Sequence, residues 1–471
     1  MSALDSIVEA VPAQPQVVRS LSQKIAPALL LLADLVGWGG AFWLTVLLLP
    51  ESVLDWLTLF FSPVVGVFGL FLVGGYDRRT QFVRLNYFSE HMIASAGAAL
   101  GAVLFTYVVS SYNESIKPSR LLLPTAFAIW ASASLMSRRM LGARWMAQRA
   151  RLAILVLGDG EAVRSFNRDY QASRLPWSLR LVGLEDTAVP AHLDGPESPR
   201  VEGNLQRVLE LEGLRFQMIL LACNPETLGA EVSAQLAQLH CKDVPVLTVD
   251  AFHEQQWRRV HVGAVRADWL FACEFRLARG TVYSQLKRLF DVVFSACALV
   301  VLSPVLLVAA ALISTESRGG AIFRQARVGR DGRVFTILKL RTMRENEGDI
   351  YTREGDTRVT RIGRWLRMSR LDEVPQLWNV LRGEMSLIGP RAEWVRCAEV
   401  YQGQIPNYHL RHLVHPGITG WAQVNFRYGE GREDAVEKFQ YDLYYIRHFS
   451  LQLDLSIVVK TVYTMLSGGG R

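Results

Sequence analysis

The apolar stretch VVFSACALVVLSPVLLVAAALI, residues 292–313, has 22 residues and no charge, so it is long enough to cross a bilayer. The positive-inside rule places both of its basic flanks in the cytoplasm, which a single crossing cannot satisfy. At its centre lie Ser303 and Pro304, where proline kinks a helix and serine can bond a freed carbonyl. The sequence therefore favours a re-entrant helix–break–helix hairpin, residues 289–313, over a fifth span that would place the C-terminus outside. The flanking basic residues are Lys287 and Arg288 before the stretch, and Arg318, Arg324, Arg327, Arg330 and Arg333 after it.

The overall composition is that of a membrane protein with ordered domains. The chain has 471 residues, of which 50% are hydrophobic and 20% charged, with a mean hydropathy of +0.16 and a net charge of +7. This composition excludes a disordered chain, a collagen-like chain and a coiled coil. The five cysteines form no CxxC pair, so neither a disulfide framework nor a zinc site is indicated.

Four further segments have the character of membrane helices, and a polar tail without signal-peptide features, residues 1–24, precedes them. Asp34 is the one charge inside the first segment. Lysine and arginine concentrate before the first, between the second and third, and after the fourth, where they begin at Arg138. Residues 25–145 are therefore predicted to form a four-helix transmembrane region with cytoplasmic termini. The four segments are residues 25–49, 56–75, 92–111 and 121–136.

A middle domain, residues 146–275, alternates strand-like and helix-like stretches, as a parallel α/β sheet does. The strand at residues 152–157 ends in Gly158-Asp-Gly160, the start of a dinucleotide fingerprint, but Val163 occupies the position of the third glycine. Glu185 and Asp186 lie near the position expected for a ribose-binding acid. The sequence predicts a degenerate Rossmann-like domain and favours one without a cofactor over one that binds a dinucleotide.

An alternative function follows from Tyr283 and Lys287, which have the Tyr-xxx-Lys spacing of short-chain dehydrogenases. Together with Gly158-x-Gly160 they could indicate a membrane-anchored, NAD-dependent nucleotide-sugar dehydratase or epimerase. Arg288 and the apolar stretch follow Lys287 at once, so there is no room for a catalytic helix inside such a domain. We therefore interpret this spacing as a chance match.

Positive charge concentrates just after the apolar stretch. Residues 314–371 contain 14 lysines and arginines against 7 acids, a difference of 14 − 7 = +7, equal to the net charge of the chain. Such a segment can hold anionic lipid heads at a membrane. It can also bind a polyanionic substrate such as a diphosphate, because arginine matches phosphate oxygens in a bidentate way.

Two adjacent carboxylates, Asp372 and Glu373, follow the basic segment and precede Pro375 and a predicted helix at residues 376–381. The helix dipole and nearby arginines would keep these carboxylates ionised. A carboxylate pair suits Mg²⁺, and an ionised carboxylate can attack a phosphoryl group to form an acyl phosphate. An isolated Asp-Glu pair would more often simply cap a helix. Only the neighbouring sequence motifs favour a catalytic role for this pair.

That context resembles a known family: residues 281–471 are similar to the catalytic domain of the monotopic phosphoglycosyl transferases. The N-terminal half resembles the long form of this family, which initiates exopolysaccharide or O-antigen synthesis in bacteria. The matching motifs are KRLFD at residues 287–291, SP at 303–304, FRQARVG at 323–329, LKLRTM at 338–343, DTRVTRIGR at 356–364, LDEVPQLWN at 371–379, MSLIGPR at 385–391, PGITGWAQV at 416–424 and DLYY at 442–445.

The resemblance implies that Asp372 is the nucleophile that attacks the β-phosphorus of a UDP-sugar, with UDP-glucose or UDP-galactose expected from the long form. UMP leaves, and undecaprenyl phosphate then accepts the sugar phosphate from Asp372 at the cytoplasmic face of the bacterial inner membrane. Asp372 and Glu373 are expected to bind Mg²⁺. The motif positions point to phosphate-binding roles for Lys339, Arg367 and Arg391, and after these for Arg324, Arg327 and Arg341.

The remaining expectations concern partners and the C-terminal helices. The partners implied are the UDP-sugar, undecaprenyl phosphate and membrane lipid, with no nucleic acid, and the membrane helices and middle domain could support a homodimer. Residues 441–466 are predicted to form interfacial helices, with an ordinary packing face as the alternative. Three positions depart from the family pattern, namely Leu340, Arg370 in place of the usual serine, and Ala392 in place of a proline.

Overall fold

The chain divides into two structural units, Met1–Trp257 and Arg258–Arg471. The computed structural model describes residues 21–49, 56–77, 80, 82–83, 85–112, 121–149, 152–158, 160–173, 175–183, 200–202, 216–241, 244–264, 282–316, 319–344, 358–426 and 431–466. Glu185 and Asp186 of the sequence analysis lie outside these residues.

The first unit begins with four helices and continues as an α/β domain. The four helices are α1 (Leu21–Leu48), α2 (Trp56–Leu72), α3 (Leu85–Tyr112) and α4 (Leu122–Arg149). The α/β domain contains β1 (Ala153–Leu157), α5 (Gly160–Ser173), β2 (Ser178–Val182), β3 (Arg200–Glu202), β4 (Phe216–Leu221), α6 (Ala230–Cys241), β5 (Val246–Thr248) and α7 (Val249–Phe252).

Each of the four predicted spans falls on a helix. Within α1 and α3, Ala26–Leu48 and Tyr87–Tyr112 are long and apolar enough to cross a membrane, and Leu59–Leu72 of α2 is a shorter apolar segment. α4 is one helix in which the short apolar segment continues into a basic half. Helix α1 packs on α4, and α3 packs on both α2 and α4. Several apolar helices that could span a membrane are thus present, while a four-span topology stays a prediction.

A buried ion pair connects α1 to α4. Arg138 donates to both carboxylate oxygens of Asp34 at 2.9 and 2.7 Å, and both side chains are fully buried. Tyr76 and Ser134 donate to the same carboxylate at 2.6 and 2.7 Å. Arg138 follows the fourth predicted span in the sequence, as predicted. In the structure its charge is neutralised by Asp34 inside the helix packing, so it does not act as an exposed flanking charge.

The middle domain is a five-stranded parallel sheet with the order β3-β2-β1-β4-β5. The predicted strands at residues 152–157, 179–184, 218–222 and 244–249 correspond to β1, β2, β4 and β5. Strand β1 is buried along its whole length, as expected of a central strand covered on both faces. After it, Gly158 has a φ of 153°, and a Cβ there would lie 3.0 Å from the Cβ of Ala222, so glycine is required for this close approach.

The second unit contains one long helix, α8 (Val282–Glu316), after a 3₁₀ turn at Val262–Ala264. In the part of the unit that the structure describes, two strand pairs and six shorter α-helices follow it. They are β6 (Ile322–Val328), β7 (Val334–Leu340), α9 (Arg361–Ser369), α10 (Gln376–Arg382), β8 (Ser386–Ile388), α11 (Val395–Gln404), β9 (Gly417–Thr419), α12 (Trp421–Asn425), α13 (Arg432–Arg447) and α14 (Leu451–Leu466). Strands β6 and β7 form an antiparallel ribbon, and β8 pairs with β9 in parallel.

The structure differs from the predicted helix–break–helix, because α8 is continuous through Ser303 and Pro304. Ser303 donates to the main-chain oxygen of Val300 at 2.8 Å, so its hydroxyl supports the helix rather than ending it. Proline removes a single helical hydrogen bond, which a helix of 35 residues tolerates as a kink. Re-entry of this helix into one leaflet stays a prediction.

Residues near both ends of α8 form hydrogen bonds with other parts of the second unit. Near its beginning, Arg288 donates to the main-chain oxygens of Val380 and Leu381 at 2.6 and 3.0 Å. At its end, the carboxylate of Glu316 accepts from the main-chain nitrogens of Arg361 and Ile362 at 2.7 and 3.0 Å. Large apolar side chains between these ends are exposed, among them Val300, Val301, Leu307 and Val308.

The prediction of interfacial helices over residues 441–466 is wrong for α13. Phe439, Leu443 and Ile446 are fully buried, and this helix belongs to the core. Helix α14 has a buried side with Leu453 and Ile457 and an exposed apolar side. The interfacial prediction therefore remains for α14 alone, whose exposed apolar residues are Leu451, Val458, Val462 and Met465.

The pair between Asp34 and Arg138 gives a prediction about stability. Arg138→Leu leaves a buried carboxylate without its partner, which costs about 3–5 kcal/mol. The double variant Asp34→Leu/Arg138→Leu removes both charges and should recover most of that loss. Thermal unfolding of the purified chain in detergent would measure both effects. A double variant as unstable as the sum of the two single variants would contradict this prediction.

Candidate active site

The turn that carries the carboxylate dyad is fixed by its two neighbouring helices. Helix α9 begins after Thr360, whose hydroxyl accepts from the nitrogen of Gly363 at 2.9 Å. The helix ends at Arg370, which has a left-handed φ of 57°. A 3₁₀ turn, Leu371–Glu373, follows and leads through Pro375 into α10, as the sequence predicted. Asp372 and Glu373 are equally buried, with 8% of each residue exposed.

Asp372 has an oxygen without a partner. In the part of the chain that the structure describes, its buried Oδ1 atom accepts no hydrogen bond. Burial raises the pKa of Asp372, and the neighbouring charge of Glu373 raises it further, while Lys339, Arg367 and Arg370 act in the opposite direction. A buried carboxylate with an uncompensated oxygen is a good candidate for a nucleophile.

Glu373 is compensated by three cations. Its Oε1 atom lies 2.7 Å from Nζ of Lys339 and 3.5 Å from a guanidinium nitrogen of Arg391, and its Oε2 atom lies 3.9 Å from Arg370. Burial alone would raise the pKa of Glu373, but Arg391 and Lys339 outweigh burial and hold it at about 2. Glu373 therefore stays ionised and gathers basic groups beside Asp372.

The structure brings together three of the six predicted basic residues. Lys339 and Arg391 bond to Glu373 directly, and the charge of Arg367 acts on Asp372. The guanidinium of Arg367 also donates to the hydroxyl of Thr342 at 3.0 Å.

For the other three the structure gives contacts other than the dyad, and Arg327 supports the loop that carries Arg391. Arg324 pairs with Leu338 across the ribbon, and Lys339 is the next residue after Leu338. The side chains of Arg324 and Lys339 therefore lie on opposite faces of the ribbon, and Arg324 is exposed. Arg341 packs against Gly319, where an added Cβ would lie 2.1 Å from its guanidinium. Arg327 donates to the main-chain oxygen of Ala392 at 3.1 Å and so holds the residue that follows Arg391.

Sequence reasoning missed Arg370 as a site residue. The signal was present, because this arginine stands where the resembling family usually has serine. Its role depends on the left-handed backbone at this position, which ends α9 and turns the side chain toward Glu373. That conformation was not readable from the motif alone.

A buried network of hydrogen bonds holds the main chain of Arg391 in place. Arg411 donates to the main-chain oxygen of Arg391 at 3.2 Å and to the carboxylate of Asp442 at 2.8 Å. Burial raises the pKa of Asp442 to about 6, although Arg411 lowers it. Asp442 belongs to the DLYY motif, so the structure explains that motif as support for the loop of Arg391.

The Tyr283 and Lys287 pair of the alternative function has a structural partner. Both side chains donate to the same oxygen of Asp454 on α14, at 2.6 and 2.7 Å. This contact attaches the beginning of α8 to α14. The Tyr-xxx-Lys spacing is thereby accounted for without a dehydrogenase site.

A divalent cation fits this site only in a limited way. Among the described residues, no group of three or more His, Cys, Asp or Glu side chains could hold a metal. The unpartnered Oδ1 of Asp372 offers one ligand, whereas Oε1 of Glu373 is already bonded to Lys339. This donor set suits Mg²⁺ bound by one or two carboxylates and otherwise by substrate phosphates.

The different surroundings of Asp372 and Glu373 predict opposite effects of their substitution on thermal stability. Glu373→Gln should lower the melting temperature near neutral pH, because Lys339, Arg370 and Arg391 lose their carboxylate. Asp372→Asn should leave it equal or higher, because burial disfavours the charged form of Asp372. The stability from Glu373 is present above about pH 4.3, its unfolded pKa, and is lost as the pH falls toward about 2. Equal destabilisation by both substitutions in thermal unfolding would contradict the assignment.

Comparison with known proteins points to one family. A sequence model described as bacterial sugar transferase matches residues 282–468. The chain is 38% identical over 274 residues to a UDP-N-acetylgalactosamine-undecaprenyl-phosphate N-acetylgalactosaminephosphotransferase of Aeromonas hydrophila, covering 57% of this chain and 64% of that protein. It is 40% identical over 237 residues to a UDP-glucose:undecaprenyl-phosphate glucose-1-phosphate transferase of Klebsiella pneumoniae, covering 49% of this chain and 50% of the relative.

A third relative extends further along the chain. The UDP-glucose:undecaprenyl-phosphate glucose-1-phosphate transferase of Escherichia coli (strain K12) is 34% identical over 340 residues, covering 69% of this chain and 70% of the relative. The chain thus spans between half and about two thirds of the first two relatives, and slightly more of the third. The matched region, residues 282–468, contains the whole dyad site described above. The chain belongs to the bacterial sugar transferase family.

Proposed function

We propose that this chain transfers a sugar 1-phosphate from a UDP-sugar to undecaprenyl phosphate and releases UMP. The observation that carries the proposal is the dyad, in which Asp372 has an unpartnered buried oxygen while Glu373 is compensated by three cations. Asp372 is therefore available to react with a phosphorus atom, and Glu373 holds the three cations beside it. The names of the relatives, which are undecaprenyl-phosphate sugar phosphotransferases, agree with this reaction.

The proposed reaction has two displacements at one phosphorus. A carboxylate oxygen of Asp372 forms a bond to the β-phosphorus of the UDP-sugar, and the bond from that phosphorus to the bridging oxygen breaks. UMP leaves with the electron pair, and the sugar phosphate remains on Asp372 as an acyl phosphate. A phosphate oxygen of undecaprenyl phosphate then attacks the same phosphorus and releases the carboxylate. The product is undecaprenyl-diphosphate-sugar, and no net proton transfer is needed.

The basic residues of the site would stabilise the charge on the transferred phosphoryl group. We assign this role to Lys339, Arg367 and Arg391, whose charges act on the dyad, and to Arg370 as a fourth cation. Asp372 and Glu373 would hold Mg²⁺ when it is present. Such an ion neutralises diphosphate charge and polarises the phosphorus.

The donor sugar is proposed to be a hexose, with glucose favoured over galactose. The Klebsiella and Escherichia relatives are named for UDP-glucose, and the Aeromonas relative adds UDP-N-acetylgalactosamine as a candidate. A panel of these three UDP-sugars would discriminate them by the rate of UMP release. The product would begin the repeat unit of an exopolysaccharide or O-antigen.

The attachment of α8 supports the proposal that this helix enters and leaves the membrane on the same side. A straight helix would separate residues 288 and 313 by about 37 Å. Arg288 contacts Val380, which packs with Ile337 of β7, and Ile313 packs with Leu340 of the same strand. Ile337 and Leu340 are only about 10 Å apart along a strand. A bent helix satisfies both attachments more easily than a straight one.

This placement would have a chemical purpose. A UDP-sugar is a polar cytosolic molecule, whereas the phosphate of undecaprenyl phosphate lies at the membrane surface. If α8 anchors the domain at the cytoplasmic face of the inner membrane, Asp372 would lie at the membrane surface. There it could reach both the cytosolic UDP-sugar and the phosphate of undecaprenyl phosphate. The kink would lie at Pro304, where the helix lacks one hydrogen bond.

The first test of the function uses Asp372→Asn. Membranes that contain this variant should release UMP from the UDP-sugar at least about 10³-fold more slowly than wild type, because the nucleophile is absent. Mass spectrometry of wild type incubated with donor alone should find a hexose phosphate on Asp372. The matched control is Asp331→Asn, a half-exposed acid in the same unit, which should retain activity. UMP release that survives Asp372→Asn, or release of UDP, would refute the mechanism.

The second test concerns α8. Single cysteines in place of Leu286 and Thr315, both exposed, are introduced into a variant without its native cysteines. Both should react with a membrane-impermeant thiol reagent in inverted vesicles, and neither in intact cells. A straight crossing would instead make one position reactive from each side.

A further inference from the structure

A second buried polar atom without a partner lies in the same helical stretch as Asp372. Gln376 is 3% exposed, and its Nε2 atom donates no hydrogen bond to any residue that the structure describes. The backbone is helical from the dyad into α10, since Val374, Leu377 and Trp378 each donate to the main-chain oxygen three residues earlier. Residues four apart on such a stretch lie about 6–8 Å apart along its axis, so Gln376 lies about one turn beyond Asp372.

Another buried amide of α10 shows what a structural role looks like. Asn379 is fully buried, and its Nδ2 atom donates to the main-chain oxygen of Thr336 at 2.8 Å and to Glu384 at 2.6 Å. Its Oδ1 atom accepts from the nitrogen of Leu338 at 3.1 Å. Asn379 thereby ties α10 to β7. The amide nitrogen of Gln376 makes no such tie to a described residue, and an unpaired buried donor destabilises the fold.

We propose that Gln376 is a further catalytic residue of this reaction. Its side-chain amide donates a hydrogen bond to a non-bridging oxygen of the phosphoryl group while that group is bound to Asp372. The inference rests on the proposed function, because the ligand is the phosphoryl group of its intermediate.

Geometry and chemistry both fit this role. A phosphoryl group on Asp372 extends beyond that side chain, and the side chain of Gln376 is long enough to meet it across a rise of about 6–8 Å. A neutral donor aimed at the charge that develops on phosphoryl oxygens is the arrangement of an oxyanion hole. Because Oδ1 of Asp372 and Nε2 of Gln376 are both covered by protein here, the proposal includes a side-chain rearrangement that uncovers them when the donor binds.

The test replaces Gln376 by methionine, which keeps the length of the side chain and removes the donor. UMP release with the donor sugar alone should slow by about 10²–10³-fold, as for the loss of one oxyanion donor. The melting temperature should stay equal or rise, because Nε2 has no partner to lose. Gln376→Glu, which places a carboxylate toward the phosphoryl group, should lose at least as much activity.

A matched control is Gln440→Met on α13. Gln440 is also buried, and its Oε1 atom also lacks a partner among the described residues, but the described ion pairs of the dyad involve Lys339, Arg370 and Arg391 and no residue of α13. This variant should keep the wild-type rate of UMP release. A control that slows as much as Gln376→Met would overturn the inference.

The outcomes separate the inference from the function on which it rests. If wild type releases UMP and Gln376→Met does so at the same rate, the inference fails while the proposed function stands. If wild type releases no UMP, the proposed function fails and the inference with it. If Gln376→Met loses activity only in proportion to a lower melting temperature, the residue is structural and the inference is overturned.

Discussion

The ion pair between Lys339 and Glu373, with an N–O distance of 2.7 Å, is the contact on which the site depends. It joins the β6–β7 ribbon to the turn of the dyad, and Arg391 adds the loop after β8 to the same carboxylate. Because these cations compensate Glu373, that residue can be buried in its ionised form at low cost. Asp372 is as deeply buried but keeps an oxygen without a partner. The different surroundings of two adjacent acids make their chemistry different.

The second constraint concerns α8, which is long and apolar enough to cross a membrane and is also bonded to a folded domain. Its exposed middle is apolar, which suits lipid, while Arg288 and Glu316 near its ends bond to main-chain groups of the domain. The sequence predicted the apolar stretch, its charges and the special position of Pro304. It predicted a break there, whereas the structure shows one continuous helix. A single proline removes one hydrogen bond and can kink a long helix without ending it, so the sequence overstated the effect of Pro304.

Prediction was most successful where the signal was local and repeated. Four of the five described strands of the middle domain, the helix after Pro375 and the apolar helices of the first unit were predicted from local sequence patterns, whereas β3 was not. Prediction failed where a partner came from far along the chain. Arg138 was counted as a flanking charge, because its partner Asp34 lies 104 residues earlier. The part of α13 from residue 441 onward was predicted to be interfacial, although Leu443 and Ile446 are buried in cores that other elements complete.

The sequence by itself determined the family resemblance, the dyad of Asp372 and Glu373, and the basic segment beside an apolar helix. Only the tertiary structure decided which basic residues reach the dyad, since it selected Arg370 and left Arg324 on the opposite face of a ribbon. It alone also decided which buried polar atoms lack partners. The physical reason is that burial and hydrogen bonding are set by groups distant in sequence, whereas sequence patterns report only near neighbours.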